Sequence, residues 1–374
     1  MRFLSALFFM LVGGFSVGQA YTRLTLKEAF KEVFLIGAAL DEDQFYENDV
    51  QDVDIVTAQF NSITPENILK WESVHPLPNE YAFEAPDRFV KFGEKNKMVI
   101  IGHTLIWHQQ TPMWVFEDDK GNTISRDALI ERMREHIHTV VGRYKGRVHG
   151  WDIVNEALNN DGTMLESPWM KIIGEDYVIK AFQFAHEADP DAQLYYNDFS
   201  LECESKRAGA IALVRELQTA GIPITAIGLQ EHNTLAWPSV QQVEDTIVAF
   251  VDLGLKVNIT ELDIDVLPSA WQYKNTDINS EIYANLNPYW ENLPDWVDQA
   301  FTKRYAELFN VYLKYHKAIE RVTFWGVTDR HSWLNYIPIK GRTNYPLLFD
   351  RRGHPKSAFD AVISLAQRSC RKED

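Results

Sequence analysis

Eight stretches of strand character, each followed by a stretch of helical period, occupy most of this 374-residue chain. They are "VFLIGAAL" (33 to 40), "AQFNSITPEN" (58 to 67), "MVIIGHTLIW" (98 to 107), "VHGWDIVNE" (148 to 156), "AQLYYNDF" (192 to 199), "TAIGLQEH" (225 to 232), "KVNITELDI" (256 to 264) and "RVTFWGVTD" (321 to 329). So regular an alternation over one chain predicts an α/β fold of the closed parallel (β/α)8 type, the TIM barrel, rather than an open doubly wound sheet. No Gly-rich phosphate loop, linker or low-complexity stretch interrupts it, so residues 21–374 are expected to form one domain. Two intervening helices carry clear end signals. In "SVQQVEDTIVAFVDLG", Ser239 and Gln242 have capping-box spacing, Val240, Val243, Ile247 and Val251 share a face, and Gly254 suits the stop. In "DALIERMREHIHTVVGRYKG", Leu129, Met133, Ile137, Val141 and Tyr144 form a similar stripe before Gly146.

In such barrels the reactive groups gather where strands end and strand-to-helix loops begin. Here nearly every strand ends in polar residues: Glu66 and Asn67, His103 and Trp107, Asn155 and Glu156, Asn197 and Asp198, Gln230 and His232, Glu261 and Asp263, and Asp329. Convergence of these on one rim predicts a polar cleft above an apolar core. The one long irregular segment, about 267 to 293, follows the seventh strand on the same side, and loops of that length are usually functional or disordered.

Composition removes several classes of partner. With 37 Lys and Arg against 53 Asp and Glu, the formal charge is -16, which repels phosphate backbones and argues against nucleic acid. The opening "MRFLSALFFMLVGGFSVGQA" has an early positive charge, an apolar run of secretory length and a small-x-small ending at Gly18 and Ala20. It reads as a signal peptide over residues 1–20, giving a secreted or periplasmic protein without a membrane anchor; an anchor is the alternative, against which the run is short for a span and has no stop-transfer flank. Cys203 and Cys370 are too few for a disulfide framework and badly spaced for zinc, and sequence leaves their pairing open. His103 and His108 are five residues apart on a strand, on opposite faces, so no metal site is expected from them.

Within the rim, Glu156 and Glu261 form a separated carboxylate pair on strands nearly opposite in the ring. Glycoside hydrolysis needs such a pair, one group protonated to donate to the leaving oxygen and one ionised to meet the developing positive charge. For either glutamate alone, a rim salt bridge or helix-cap partner is the competing reading. Strict alternation puts Glu261 and Asp263 on one face of their strand, and Gln230 and His232 on one face of the neighbouring strand. A histidine beside two carboxylates can hydrogen-bond one and keep it ionised. Asn155 and Glu156 are sequence neighbours wanted on the same face, so the strand is expected to end or bulge there.

The segments "WDIVNE", "ITELDI", "GHTLIWHQQTP", "PENILKWE" and "TFWGVTDRHSW" resemble, in order and one per strand, the signature segments of glycoside hydrolase family 10, the endo-1,4-β-xylanases; the likeness covers about residues 22 to 366. The resemblance implies a retaining double displacement, with Glu156 as acid/base, Glu261 as nucleophile, His232 holding the nucleophile and Asn155 binding the sugar 2-hydroxyl. It further implies a substrate set of Glu66, Asn67, Lys70, His103, Trp107 and Gln110 with Trp325 and Trp333 as aromatic walls; from their places on the rim, Asp263 beside that histidine is expected in the catalytic group, and Asn197 and Gln230 in the substrate set. The substrate implied is xylan and xylo-oligosaccharides, with no cofactor, and the enzyme is expected to be a monomer. Trp107 as a core residue and Lys70 as a solvated charge are the plainer alternatives. A β-1,4-glucanase and a non-catalytic xylan-binding barrel are rival readings of the whole. Arg330 and His331 depart from the commonest family pattern. The long loop region carries Trp271, Tyr273, Tyr283, Tyr289, Trp290 and Trp296, which either stack on sugars or pack the loop down.

Overall fold

The computed structural model describes residues 23–370 except 277. The proposed signal peptide, residues 1–20, and the side chain of Cys370 lie outside the described residues; Cys203 is a free cysteine. Parallel strands β1 (Leu35–Leu40), β2 (Ser62–Pro65), β3 (Val99–Ile106), β4 (Gly150–Asn155), β5 (Gln193–Asp198), β6 (Ala226–Leu229), β7 (Lys256–Asp265) and β8 (Ile319–Phe324) pair in the ring β6-β5-β4-β3-β2-β1-β8-β7, and β6 with β7 closes it. The closed (β/α)8 barrel is therefore as the alternation predicts. Among the described residues no helix is long and apolar enough to cross a membrane.

Most strand ends fall within about two residues of the sequence reading, and three boundaries differ by more. The stretch expected from 58 begins as the end of helix Val50–Gln59, whose last turn Ala58 and Gln59 complete, with the Phe60 N–H donating to the Val56 carbonyl at 3.1 Å. The sixth strand breaks after Leu229 and resumes as the three-residue run His232–Thr234 against β7, with Glu231 between them at φ 58°. The eighth stops at Phe324, five residues early, and Trp325 to Asp329 form a loop. The long segment after β7 is not wholly irregular either, holding a 3-10 turn at Trp271–Tyr273 and a helix at Ser280–Leu286 capped by Asn279. Trp296 belongs to the following helix, Asp295–Lys314.

The helix signals are realised. Ser239 and Gln242 close a capping box on Val240–Val251, with Val243 and Ile247 buried, while Leu129, Met133, Ile137 and Val141 bury the inner stripe of Arg126–Arg143. Apolar burial concentrates between helices and barrel, where Trp71, Trp151 and Trp169 are buried. Inside the barrel, among the described residues, Ile101, Tyr195 and Ala226 form a small separate apolar cluster, and the Arg321 guanidinium lies 4.6 Å from the Tyr195 ring centroid. Gly102 has no alternative, since a Cβ would stand 2.0 Å from the Trp151 ring of the adjacent strand. With the apolar mass outside, the strand ends are free to be lined by polar groups.

Candidate active site

β4 and β5 shift register between Asp152 and Val154, β4 ends at Asn155, and Glu156 turns left-handed at φ 57°. That answers the geometric problem of two neighbouring residues required on one face: bulge and turn together send both side chains inward. Glu156 Oε2 accepts from Trp107 Nε1 at 2.9 Å and Oε1 from Gln230 Nε2 at 3.0 Å. Both donors are neutral.

Glu261 meets different company. Its Oε1 accepts from Asn197 Nδ2 at 2.8 Å, and its Oε2 lies 3.1 Å from His232 Nε2, whose other ring nitrogen stands 3.0 Å from Asp263 Oδ2. Alternation along β7 places Glu261 and Asp263 on the same side, as the sequence predicts. Burial disfavours charge on His232, but Asp263 and Glu261 outweigh it and push the ring up to about 10, so it is an imidazolium at neutral pH. Burial also opposes ionisation of Glu261; the His232 hydrogen bond, the charges of His103 and His232, and Asn197 together overcome it and hold the carboxyl below its ordinary value.

The two carboxylates are linked by three amides. From Glu156, Gln230 Nε2 reaches on to Asn155 Oδ1 at 3.3 Å; Asn155 Oδ1 also accepts from Asn197 Nδ2 at 2.9 Å, and Asn197 bonds Glu261. Thr260 fixes the amide orientation of Asn197 by donating to its Oδ1 at 2.6 Å.

On one flank lie Glu66, Asn67, Lys70 and Gln110. Lys70 is buried, not a solvated charge: its Nζ donates to Asn67 Oδ1 at 2.9 Å and sits 4.9 Å from the Trp107 ring centroid. Gln110 Nε2 reaches Asn67 Oδ1 at 3.4 Å and Glu72 Oε1 at 3.2 Å. Burial, reinforced by Asp41, drives the Glu66 carboxyl up to about 8 against the pull of Lys70 and His331. Trp107 is not core; its indole N–H belongs to Glu156. His103, in the barrel mouth, presents Nδ1 to Asp152 Oδ2 at 2.9 Å and packs edge-on to Trp325, ring centroids 5.3 Å apart. Trp333 walls the other side, 4.9 Å from the His232 ring, its Nε1 donating to Asp263 Oδ2 at 2.7 Å.

Every substrate residue expected from sequence thus lies on this rim, but two of the polar strand ends do not. Asp198 faces outward to Lys206, and Asp329 is buried against Lys356 Nζ at 3.0 Å. Arg330 and His331 likewise serve the scaffold: Arg330 pairs with Asp49 and Asp52, and His331 Nδ1 lies 3.1 Å from Asp41 Oδ2, tying the loop after β8 to the one after β1. Sequence reasoning missed Asp152 as the partner of His103 and Thr260 as the partner of Asn197. The signal was there: a carboxylate inside an otherwise apolar strand needs a buried partner.

A closed barrel whose mouth holds two amide-bridged carboxylates in contrasting surroundings, one buried and one half-buried, between indole walls, is the outfit of a (β/α)8 glycoside hydrolase. Residues 25–365 match the family described as Glycosyl hydrolase family 10, and the chain belongs to that family. Endo-1,4-beta-xylanase A of Xylanibacter ruminicola is 43% identical over 92% of this chain and 94% of its own length. A beta-1,4-xylanase of Dictyoglomus thermophilum is 42% identical, over 91% and 90%. Among solved structures, a GH10 endoxylanase from a sugarcane soil metagenome aligns with TM-score 0.87 and 44% identity, covering 92% of this chain and all (100%) of that one. A xylanase from Paenibacillus barcinonensis, complexed with a conduramine derivative, aligns at TM-score 0.84 and 36% identity, covering 92% and 99%.

Proposed function

We propose that this chain is a retaining endo-1,4-β-xylanase in which Glu261 is the nucleophile and Glu156 the acid/base. The observation that carries the assignment is the asymmetry of the pair. Glu261 touches an imidazolium, which favours a standing negative charge, whereas Glu156 has two neutral donors and no cation in contact. Glu261 attacks the anomeric carbon of the sugar in the cleavage subsite while Glu156 protonates the departing oxygen; Glu156, now ionised, then takes a proton from the water that releases the glycosyl-enzyme. Asp263 stabilises the His232 charge. Asn155, oriented by Asn197 and Gln230, binds the 2-hydroxyl, a contact that tightens in the transition state. Glu66, Asn67, Lys70 and Gln110 bind hydroxyls on the non-reducing side, His103 and Trp107 the sugar at the cut, and Trp325 and Trp333 face its apolar surfaces. Export by residues 1–20 belongs to the same proposal and rests on their composition alone; N-terminal sequencing of protein recovered outside the cytoplasm tests it.

The role assignment is tested with an activated aryl xylobioside. Glu156→Ala should still form the glycosyl-enzyme, giving a burst, and azide should speed turnover to a glycosyl azide of retained configuration. Glu261→Ala should be almost inactive, and azide should give the inverted anomer. Exchanged outcomes would transfer the nucleophile to Glu156. Near-normal xylan hydrolysis by both variants would end the reading.

A further inference from the structure

Glu156 is a residue with a side chain at φ 57°, a conformation that persists only where the surroundings hold it. What holds it lies on the outer face of β5, away from the cleft. The Ala157 N–H donates to the Tyr196 hydroxyl at 3.1 Å, and that hydroxyl donates to Asp198 Oδ2 at 2.5 Å. Asp198 Oδ1 accepts from Lys206 Nζ at 2.7 Å and from the Phe199 N–H at 2.9 Å. Lys206 and Asp198 side chains are both 0% exposed, and the ammonium sits 3.4 Å from the Phe199 ring centroid. A continuous run of contacts therefore connects helix Glu204–Thr219 to the backbone that aims Glu156.

We propose that Asp198 and Lys206 are positioning residues for the acid/base: through Tyr196 and Ala157 they hold the Glu156 turn, and as a mutually compensated pair they keep an unbalanced charge from bearing on its carboxyl. The inference rests on the reading of Glu156 as acid/base. The other charged or titratable groups around Glu156 are Glu261 with His232 across the cleft, Lys70 from beyond β2 and His108 from beyond β3; its two direct partners, Trp107 and Gln230, are neutral. Burial drives the Asp198 carboxyl up to about 7 against the pull of Lys206, and the Glu156 charge adds to the rise. A buried pair that merely pinned the helix to the barrel would not need to connect to the turn.

Asp198→Asn in the full chain leaves the Lys206 ammonium without its counter-charge, which favours loss of the proton from a nearby acid. For xylotetraose, whose leaving group must be protonated, the alkaline limb of kcat/KM should move to lower pH by about one unit and the plateau fall about tenfold or more. For an activated aryl xylobioside, kcat/KM should stay within about threefold, since general acid help is not required there. Asp198→Asn/Lys206→Met removes both charges and should return the limb to its wild-type pH. Tyr196→Phe cuts the tether without changing charge, and should lower kcat/KM for xylotetraose selectively without moving the limb; it also serves should Asp198→Asn not fold. An equal fall on both substrates with an unmoved limb in Asp198→Asn, or a limb still displaced in the double variant, or an unchanged substrate ratio in Tyr196→Phe, would overturn the proposal. Failure of the acid/base reading is separable, because it would show as near-normal xylotetraose hydrolysis by Glu156→Ala.

Discussion

Replacing His232 with Gln removes one positive charge from between two buried carboxylates while leaving a neutral donor within reach of Glu261. In the wild type, His232 Nε2 is 3.1 Å from Glu261 Oε2 and Nδ1 is 3.0 Å from Asp263 Oδ2, and Glu261 is held below the ordinary carboxylate range partly by that hydrogen bond and charge. A hydrogen bond to a charged group contributes about 1.5–3 kcal/mol, and one pH unit corresponds to about 1.4 kcal/mol, so the loss equals roughly one to two units. The sign follows from the role. A nucleophile must be ionised, removing the cation makes ionisation harder, and so the acid limb of the pH profile must move up. The assay is kcat/KM against pH on an aryl xylobioside with a good leaving group, because this step needs no proton from Glu156 and its acid limb reports the nucleophile alone. At a pH above the displaced limb, activity should approach a plateau again. If the limb stays where it was while kcat/KM falls by the same factor at every pH, His232 is a packing residue and the electrostatic account of Glu261 is wrong.

Three further outcomes follow from the geometry. In a crystal structure the carboxyl groups of Glu156 and Glu261 should stand about 5 to 5.5 Å apart, and a separation near 9 Å would indicate inversion and end the double-displacement assignment. Trp271 is 49% exposed with its ring 6.2 Å from that of Trp333, so it prolongs the aromatic wall outward; Trp271→Ala should weaken binding of long xylo-oligosaccharides more than short ones in calorimetry, and equal effects would return it to packing. Gly102→Ala would force a methyl to 2.0 Å from the Trp151 ring, and overpacking of a buried position destabilises by about 1–3 kcal/mol or more, so thermal inactivation should be markedly faster, with an unchanged half-life refuting the packing described.

The barrel was legible because strand and helix periods alternate so regularly, and the core faces of Arg126–Arg143 and Val240–Val251 because their apolar spacing is unbroken. The pairing of Glu261 with Asp263 across His232 was legible for a similar reason, since alternation holds along β7 at those residues. Boundaries failed where another rule took over. Residues 58 and 59 have β-compatible neighbours but complete a helix turn, and Trp325 to Asp329 continue an apolar-looking run in which Asp329 accepts from the Leu347 N–H and pairs with Lys356 instead of joining the sheet. Alternation also says nothing of which polar ends face inward once a strand has ended. Asp198 and Asp329 looked like rim residues and are scaffold.

The residues that aim the two sides of the site are those that sequence patterns describe least well. Glu156 and Glu231 both sit in the left-handed region, at φ 57° and 58°, each at the point where a strand stops being regular. At the first, the turn brings an acid inward beside Asn155; at the second, the break lets Gln230 reach Glu156 while His232 reaches Glu261. Neither conformation is favoured by glutamate's own backbone preferences, so each must be imposed by contacts that lie outside the cleft. For Glu156 those contacts run through Tyr196 to the buried Asp198 and Lys206, and for Glu231 the side chain is buried and accepts from Asn233 Nδ2 at 2.7 Å. The chemistry of the cleft thus depends on polar groups buried behind it, and substitutions there should alter catalysis without touching substrate.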